Sequence, residues 1–156
     1  MFRDMRRFKQ QLTEEECDKI LREQKRGVLA VLGDADYPYA VPMNFVYENG
    51  CLFFHSAKEG HKLDALRKHD KASFNVLSEG ELTADGWSYS FRSVTVFGKL
   101  REITDESEKN EKLRLLGQKY FPTAEMVESD IQKNTHRCAV IELRIEHLSG
   151  KRVHER

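Results

Sequence analysis

Three side chains able to hold an anion lie close together near the middle of the chain. Ser56 offers a hydroxyl, His61 an imidazole and Lys62 an ammonium group. Gly60 stands between them, where a strand pattern gives way to a helix pattern. The first N–H groups of a helix have no partner within it and carry the positive end of its dipole, so such a junction favours phosphate. We therefore predict a phosphate site here. A solvated strand-to-helix connection is the alternative that these residues leave open.

The segment before this junction predicts a β-hairpin. Two strand patterns flank Asn49-Gly50, the strongest two-residue hairpin signal in the chain. Pro42 cannot donate to a sheet ladder, so an edge or a bulge is expected in the first strand. The hairpin would bring residues 42–44 near His55, with unpaired backbone groups that could bind a planar ligand with an amide-like edge. The alternative is that Pro42 only marks a protected edge strand.

The rest of the chain predicts a mainly β protein with peripheral helices. Strands are predicted at residues 27–32, 37–48, 51–55, 71–77, 87–103 and 137–147, and helices at 14–25, from 61 onward, at 105–121 and at 123–134. Six antiparallel strands with few helices favour a small closed barrel. The absence of repeated strand–helix units and of a Gly-rich dinucleotide or Walker loop argues against a parallel nucleotide-binding sheet.

Several of these elements carry finer predictions. Thr13 and Glu16 have the spacing of a capping box at the start of the first helix. The long strand predicted at residues 87–103 is expected to bend near Gly98. In the last strand, the alternation of apolar and charged residues places Glu142 on the outward, solvated face. A mobile tail is expected after Arg152.

Composition limits the class of protein. The chain has 156 residues, enough for the single domain, residues 1–156, that we predict. Its 26 Lys and Arg residues balance 26 Asp and Glu residues, so nothing favours a nucleic-acid partner. No apolar run is long enough to span a membrane, and no secretion signal is evident. Three scattered cysteines, Cys17, Cys51 and Cys138, are typical of reduced thiols in a cytoplasmic protein.

A metal site is not predicted. Cys51, His55, His61 and His69 lie close in sequence. Their spacing matches no usual zinc pattern. A helical His69 would lie about two turns beyond His61.

Several short motifs, in this order and spacing, resemble one known family. They are residues 41–47 (VPMNFVY), 54–57 (FHSA), 60–62 (GHK), 92–94 (RSV), 97–98 (FG) and 145–151 (IEHLSGK). The family is the FMN-binding split-barrel superfamily, in its pyridoxamine 5′-phosphate oxidase-like branch, which includes nitroimidazole-resistance flavoproteins. The resemblance runs from about Thr13 to Arg152. It implies an antiparallel six-stranded split β-barrel of Greek-key type, forming a homodimer with FMN at the subunit interface.

The resemblance also places residues around the flavin. The ring would meet the backbone of Pro42, Met43 and Asn44, and His55 would lie beside the ribityl chain. The phosphate would be surrounded by Ser56, Gly60, His61 and Lys62. Arg92 and Ser93 would come from the neighbouring strand, of the other subunit. The phosphate residues coincide with the site predicted above from the strand-to-helix junction.

The implied function is that of an FMN-dependent oxidoreductase. Electrons would pass from a reduced nicotinamide cofactor to a small acceptor such as a nitroaromatic or a quinone. No catalytic protein residue is assigned, because the flavin carries the redox chemistry. Tyr47, His55 and Arg92 could donate a proton, but each also has an ordinary structural interpretation.

The alternative to this reaction is a flavin- or haem-binding module without turnover.

The sequence also departs from the oxidases of this branch at two places. His61 stands where they commonly have arginine, and their C-terminal tryptophan–arginine segment has no evident counterpart. Oxidation of a pyridoxine vitamer is therefore not expected.

Overall fold

The computed structural model describes residues 1–154, which form a β-sheet and four peripheral α-helices. In chain order the elements are α1 (Glu14–Glu23), β1 (Arg26–Leu32), β2 (Pro38–Asn44), β3 (Val46–Glu48), β4 (Cys51–Ala57), α2 (His61–Lys68), β5 (Lys71–Leu77), β6 (Glu81–Leu82), β7 (Tyr89–Ile103), α3 (Glu106–Tyr120), α4 (Ala124–Asn134) and β8 (Cys138–His154). Short 3-10 turns occupy Phe8–Gln10, Asp34–Asp36 and Thr135–Arg137.

All strand pairs are antiparallel, and the sheet curls into a barrel. The strand order is β2-β1-β5-β7-β8-β4-β3, with β6 paired to β7. Strands β2 and β3 lie at opposite edges of this order, yet only Phe45 separates them along the chain. The two edges must therefore approach each other, which closes most of the barrel. The prediction of a mainly β, antiparallel barrel with peripheral helices is confirmed.

The predicted number of six strands is wrong, since the described chain forms eight. The segment 37–48 divides at Phe45, and the short strand β6 pairs with the start of β7. The last strand is also longer than predicted, because it stays paired with β7 as far as His154, opposite Ser90. The tail expected to be mobile after Arg152 is thus strand through His154, and Glu155 and Arg156 lie outside the described residues.

Local sequence signals are confirmed at several points. The Thr13 hydroxyl accepts a hydrogen bond from the N–H of Glu16 at 3.2 Å, and the Glu16 carboxylate accepts one from the N–H of Thr13 at 2.9 Å. The β3–β4 hairpin turns at Asn49-Gly50, where both residues have positive φ. The β7–β8 register shifts between Phe97 and Gly98, which is the predicted bend.

Two apolar clusters hold these elements together. The larger fills the barrel and includes the fully buried rings of Phe45, Phe54 and Phe74. The smaller lies between the outside of the sheet and α3, around Phe53 and Leu116. Because α3 covers this part of the sheet, the sheet residues that point away from the barrel interior are buried here as well.

This cover explains why the prediction for Glu142 is wrong. Only 5% of Glu142 is exposed, although it points away from the barrel interior. Its carboxylate accepts hydrogen bonds from Nε and Nη2 of Arg101, at 3.0 and 2.7 Å. A buried carboxylate requires such a partner.

A different part of the sheet surface carries exposed apolar side chains. Val28 on β1, Leu77 on β5 and Phe97 on β7 are 42, 55 and 39% exposed. Their chain neighbours Leu29, Val76 and Val96 are buried in the barrel, so these three side chains point outward. We call this the outer face. Among the described residues, no helix is long and apolar enough to cross a membrane.

Candidate functional site

A cavity of about 450 Å³ lies between helices α3 and α4 and strands β2 and β4. Its floor is apolar, with Leu116, Val127 and Ile131 buried. The sheet contributes Asn44 and His55, two of the residues predicted to surround the flavin. The remaining lining residues are Leu113, Gly117, Tyr120, Phe121, Asp130, Asn134, Thr135 and Cys138. We call this the α3–α4 cavity.

The two helices that wall the cavity are fixed by their caps and by one close contact. Asp105 and Thr123 each accept a backbone N–H at the start of their helix, at 2.8 and 3.2 Å. A Cβ at Gly117 would lie 2.6 Å from Cγ1 of Val127, so glycine allows α4 to pack directly against α3. This contact places Gly117 and Val127 side by side in the lining of the cavity.

Backbone groups near the cavity are arranged only in part as predicted. Strand β2 is regular through Asn44, with Pro42 opposite Val28, and the irregular residue is Phe45. The N–H of Phe45 donates to the Tyr120 hydroxyl at 2.8 Å, and its carbonyl lies 2.7 Å from the same hydroxyl. Of the predicted edge or bulge at Pro42, the structure shows the edge: among the described strands β2 pairs only with β1, and residues 42–44 contain no bulge. The open side of an edge strand keeps unpaired backbone groups, so their use by a ligand stays a prediction.

Sequence reasoning gave Tyr120 no role at this site. Its position on one face of a helix just before Pro122 indicated only packing. Burial raises the pKa of this tyrosine, so its hydroxyl stays protonated and can serve the backbone as both donor and acceptor. No local pattern could have paired residues that are 75 positions apart.

The start of α2 has the features of an anion site. Gly60 precedes the helix with φ = +125°, and a Cβ added there would meet nothing within 4 Å. No side chain caps this helix end. Lys62 is half-buried, and within residues 1–154 it has no hydrogen-bond or ion-pair partner. The N–H groups of Leu63 and Asp64 donate to the carbonyl of Gly60, at 2.9 and 3.1 Å, which leaves those of His61 and Lys62 for an anion. These two N–H groups and an unpaired ammonium group fit a phosphate.

His61 is held in place by the β1–β2 turn. Its Nε2 accepts a hydrogen bond from the N–H of Asp34 at 3.0 Å, and its ring stacks on Tyr39 with centroids 4.2 Å apart. A neutral imidazole that accepts at Nε2 carries its proton on Nδ1. Of the two ring nitrogens of His61, only Nδ1 can therefore donate the predicted hydrogen bond to a phosphate.

Ser56 is oriented differently from the prediction. It is buried on the barrel side of β4, and its hydroxyl donates to the carbonyl of Ala57 at 2.8 Å. His55, the preceding residue, is exposed on the opposite face and lines the cavity. Successive side chains of a strand point to opposite faces, so Ser56 and His55 cannot face one ligand from the same side.

Two strands connect the cavity to the start of α2. On β2, Asn44 lines the cavity and Tyr39, five residues earlier, contacts His61. On β4, His55 lines the cavity and the chain reaches Gly60 five residues later. On β2 these five residues are extended and span roughly 16 Å, whereas β4 ends at Ala57 and the chain bends before Gly60. Pro42 and Met43 lie on β2 between the two ends, with Met43 buried in the barrel core.

Arg92 and Ser93 lie away from this region within one chain. Ser93 pairs with Leu77 at the end of β5, whereas α2 leads into the start of that strand at Lys71. Six extended residues separate these ends by roughly 20 Å. The N–H of Arg92 donates to the hydroxyl of Ser78 at 2.8 Å. The structure thus brings the other predicted residues to β2, β4 and α2, but not these two.

The described residues contain no group of three or more His, Cys, Asp or Glu side chains that could hold a metal ion. The four histidine and cysteine residues considered above, Cys51, His55, His61 and His69, therefore form no such cluster in residues 1–154.

Comparison with known proteins places this arrangement in a family. The family model described as pyridoxamine 5′-phosphate oxidase matches residues 13–152. The chain belongs to the pyridoxamine 5′-phosphate oxidase family. The match covers every element from α1 to most of β8, and the stretch predicted from sequence motifs has the same limits. No curated protein matches the sequence.

Members of the pyridoxamine 5′-phosphate oxidase family and related flavin proteins share the fold. A candidate 5-nitroimidazole antibiotic resistance protein from Bacteroides thetaiotaomicron is 24% identical, over 92% of this chain and 87% of that one, with a TM-score of 0.77. An FAD-binding protein from Mesorhizobium loti is 22% identical, over 92% and 96%, with a TM-score of 0.68. An FAD and haem binding protein from Mycobacterium smegmatis is 21% identical, over 91% and 72%, with a TM-score of 0.72. The split-barrel fold and the predicted branch are thereby confirmed.

Proposed function

We propose that this protein binds FMN as a homodimer and passes electrons from a reduced nicotinamide cofactor to a small acceptor, such as a quinone or a nitroaromatic. The observation that carries the proposal is the start of α2. There an uncapped helix end and an unpaired Lys62 lie at the end of two strands that lead from the α3–α4 cavity. Membership of the family and the flavin-binding proteins of the same fold support it.

The phosphate of the flavin fits the helix end. The groups that would hold it are the N–H groups of His61 and Lys62, the ammonium group of Lys62 and the Nδ1–H of His61. A phosphate ester has two negative charges near neutral pH, and charge-assisted hydrogen bonds to it are short and strong. Ser56 is left out of this set, because its hydroxyl donates to Ala57.

The outer face supports a second copy of the chain as the partner. Val28, Leu77 and Phe97 expose apolar surface on three neighbouring strands, which is typical of a protein interface. A second copy would also bring its own Arg92 and Ser93 to the flavin. One chain keeps them roughly 20 Å from α2, so they can join the flavin only from the partner.

The protein residues would position the reactants rather than react with them. With FMN bound, the site would have the chemistry needed for hydride uptake from the nicotinamide and transfer of an electron pair to the acceptor. His55 is exposed at the cavity, and within residues 1–154 its imidazole has no hydrogen-bond partner. It is therefore the best placed of the three predicted proton donors, since Tyr47 donates to Asp18 at 2.9 Å and Arg92 lies at the far end of β7.

The test begins with the protein as purified, followed by reconstitution with FMN. We expect the two-banded visible spectrum of oxidised flavin, release of FMN rather than FAD by mass spectrometry, and a dimer by light scattering. Oxidation of NADH or NADPH that depends on an added quinone would then establish turnover. A protein that gains no flavin absorbance with excess FMN contradicts the proposal.

A flavin or haem module without turnover is the second candidate. The M. smegmatis protein of the same fold is described as binding FAD and haem, and His55 offers a free imidazole at a cavity. A Soret band in the spectrum would favour haem. A stable flavin complex that is not reduced by NADH or NADPH would favour a carrier or sensor.

A further inference from the structure

We infer that the α3–α4 cavity binds the electron acceptor, and that it selects a neutral, planar molecule of one or two rings over a phosphorylated one. This inference rests on the proposed flavin-dependent function and names the substrate class of that site. The family name suggests a phosphorylated pyridoxine vitamer as substrate, and the inference disfavours such a substrate for this protein.

The size and the floor of the cavity set the shape of the ligand. Its volume of about 450 Å³ is in the lower part of the range of small-molecule sites. The floor formed by Leu116, Val127 and Ile131 is buried and apolar, so it favours a flat hydrocarbon surface. A molecule of one or two fused rings fits within such a space.

The polar groups that line the cavity are mostly neutral, and they include three partly buried residues, Tyr120, Thr135 and Cys138. Asn44 and His55 come from the sheet, and Asp130 and Asn134 from the end of α4. They could bind a carbonyl or nitro group. Among the described residues that line the cavity, Asp130 is the only Asp, Glu, Lys or Arg, and it accepts a hydrogen bond from Asn134 at 2.7 Å.

This lining disfavours a phosphate group. Phosphate sites in proteins use lysine, arginine or clustered N–H groups in direct contact with the oxygens. No lysine or arginine of residues 1–154 lines the cavity, and the carboxylate of Asp130 would repel an anion there. A phosphorylated ligand would therefore lose its hydration without gaining a cationic partner.

Two lysines near the cavity do not change this result. Lys109 is only 7% exposed, and its ammonium group donates to the carbonyl of Thr135 at 2.7 Å, behind the cavity wall. Lys58 acts on the thiol of Cys138 from an exposed position, where solvent screens its charge. Neither residue lines the cavity.

The cavity also lies where an acceptor must be. Asn44 and His55 line its mouth, and both are residues predicted to lie beside the flavin. A molecule on the apolar floor would thus reach the ring from the side of α3 and α4. The anion site at α2 lies roughly 16 Å away along β2, so a phosphate bound there lies outside the cavity.

The experiment compares two probes in flavin-free and flavin-loaded protein. A neutral naphthoquinone, 2-methyl-1,4-naphthoquinone, and pyridoxal 5′-phosphate are titrated by calorimetry under oxidising conditions. We expect the quinone to bind both forms, and to bind the flavin-loaded form at least ten times more tightly than pyridoxal 5′-phosphate does.

Matched variants locate the binding. Leu113 and Leu115 are both half-buried on α3, but only Leu113 lines the cavity. Leu113→Trp should weaken quinone binding at least tenfold, whereas Leu115→Trp should leave it unchanged. Should Leu113→Trp fail to fold, Asn134→Trp at the exposed mouth makes the same test.

A second pair of variants tests the charge. Asp130→Lys should raise the affinity for pyridoxal 5′-phosphate at least fivefold, because it places a cation at the mouth. Glu125→Lys, on the same helix but outside the cavity, should not.

The inference is overturned if Leu113→Trp and Asn134→Trp bind the quinone as the parent does, or if pyridoxal 5′-phosphate is preferred. It is also overturned if the quinone binds only the flavin-free protein, since the cavity would then hold the flavin ring itself. Failure to load flavin refutes the proposed function, whereas failure of a flavin-loaded protein to bind the quinone refutes only this inference.

Discussion

The hydroxyl of Tyr120 lies within 2.8 Å of both backbone polar groups of Phe45. Phe45 is the single residue between β2 and β3, at which the chain leaves one edge of the sheet and joins the other. A buried residue at such a crossing has backbone groups that no strand can pair. From the end of α3, the Tyr120 hydroxyl accepts from the N–H of Phe45 and shares its one proton between the carbonyls of Phe45 and Lys25. It thereby links the wall of the cavity to the closure of the barrel.

Tyr120→Phe should lower the free energy of unfolding by about 1–3 kcal/mol, because it leaves the N–H of Phe45 buried without a partner. Urea denaturation followed by circular dichroism measures this change. Tyr37→Phe is the control, since Tyr37 is 75% exposed and should change stability by less than about 0.5 kcal/mol. Equal losses in the two variants would show that the hydroxyl of Tyr120 is not needed.

Lys119, the residue before Tyr120, should make stability depend on pH. Its ammonium group lies 4.1 Å from the centre of the Phe45 ring and donates to the carbonyl of Gln24. Burial, with a smaller effect of the nearby charge on Lys25, lowers the pKa of Lys119 from 10.5 to about 8. Between these two values the unfolded chain binds more protons at this residue than the folded chain does, so its contribution to stability rises with pH.

The measurement is the free energy of unfolding at pH values from 7 to 10 for the parent and for Lys119→Met. We expect the difference, parent minus variant, to increase as the pH rises above about 8. Cys17 and Tyr47, with pKa values raised by burial to about 11 and about 12, act in both proteins and cancel in the difference. A difference that stays constant over this range would contradict the prediction.

Lys62→Ala should weaken FMN binding by about 1–3 kcal/mol, which is roughly five- to 150-fold, because a charge-assisted contact to the phosphate is lost. Fluorescence titration of FMN measures it, and high salt should reduce the difference between parent and variant. Lys19→Ala on α1 is the control for a lost surface charge. An unchanged affinity would remove Lys62 from the phosphate site.

Gly98→Ala should destabilise the barrel by about 3 kcal/mol, because the new Cβ would lie 2.0 Å from the carbonyl oxygen of Arg144. Backbone atoms at the β7–β8 bulge cannot move aside without breaking the ladder. Thermal denaturation checks this, with Gly80→Ala as control, where the nearest atom is a side-chain atom of Tyr89 at 3.3 Å. A small effect at Gly98 would mean that the bulge can relax.

Features that depend on neighbours in sequence were predictable from the sequence alone. The capping box at Thr13, the turn at Asn49-Gly50 and the bend at Gly98 were each identified, because a few adjacent residues decide them. The start of α2 after Gly60 belongs to the same class. The ordered motifs also identified the family.

Contacts between distant residues were decided by the tertiary structure. The alternation of residues in β8 predicted that Glu142 faces solvent, but α3 covers that face of the sheet. The carboxylate is therefore buried and pairs with Arg101. Tyr120 binds Phe45 across 75 residues, and the cavity exists only where α3 and α4 fold back onto β2 and β4. Periodicity shows which side of an element is apolar, but it does not show which element covers the other side, because that depends on how the whole chain packs.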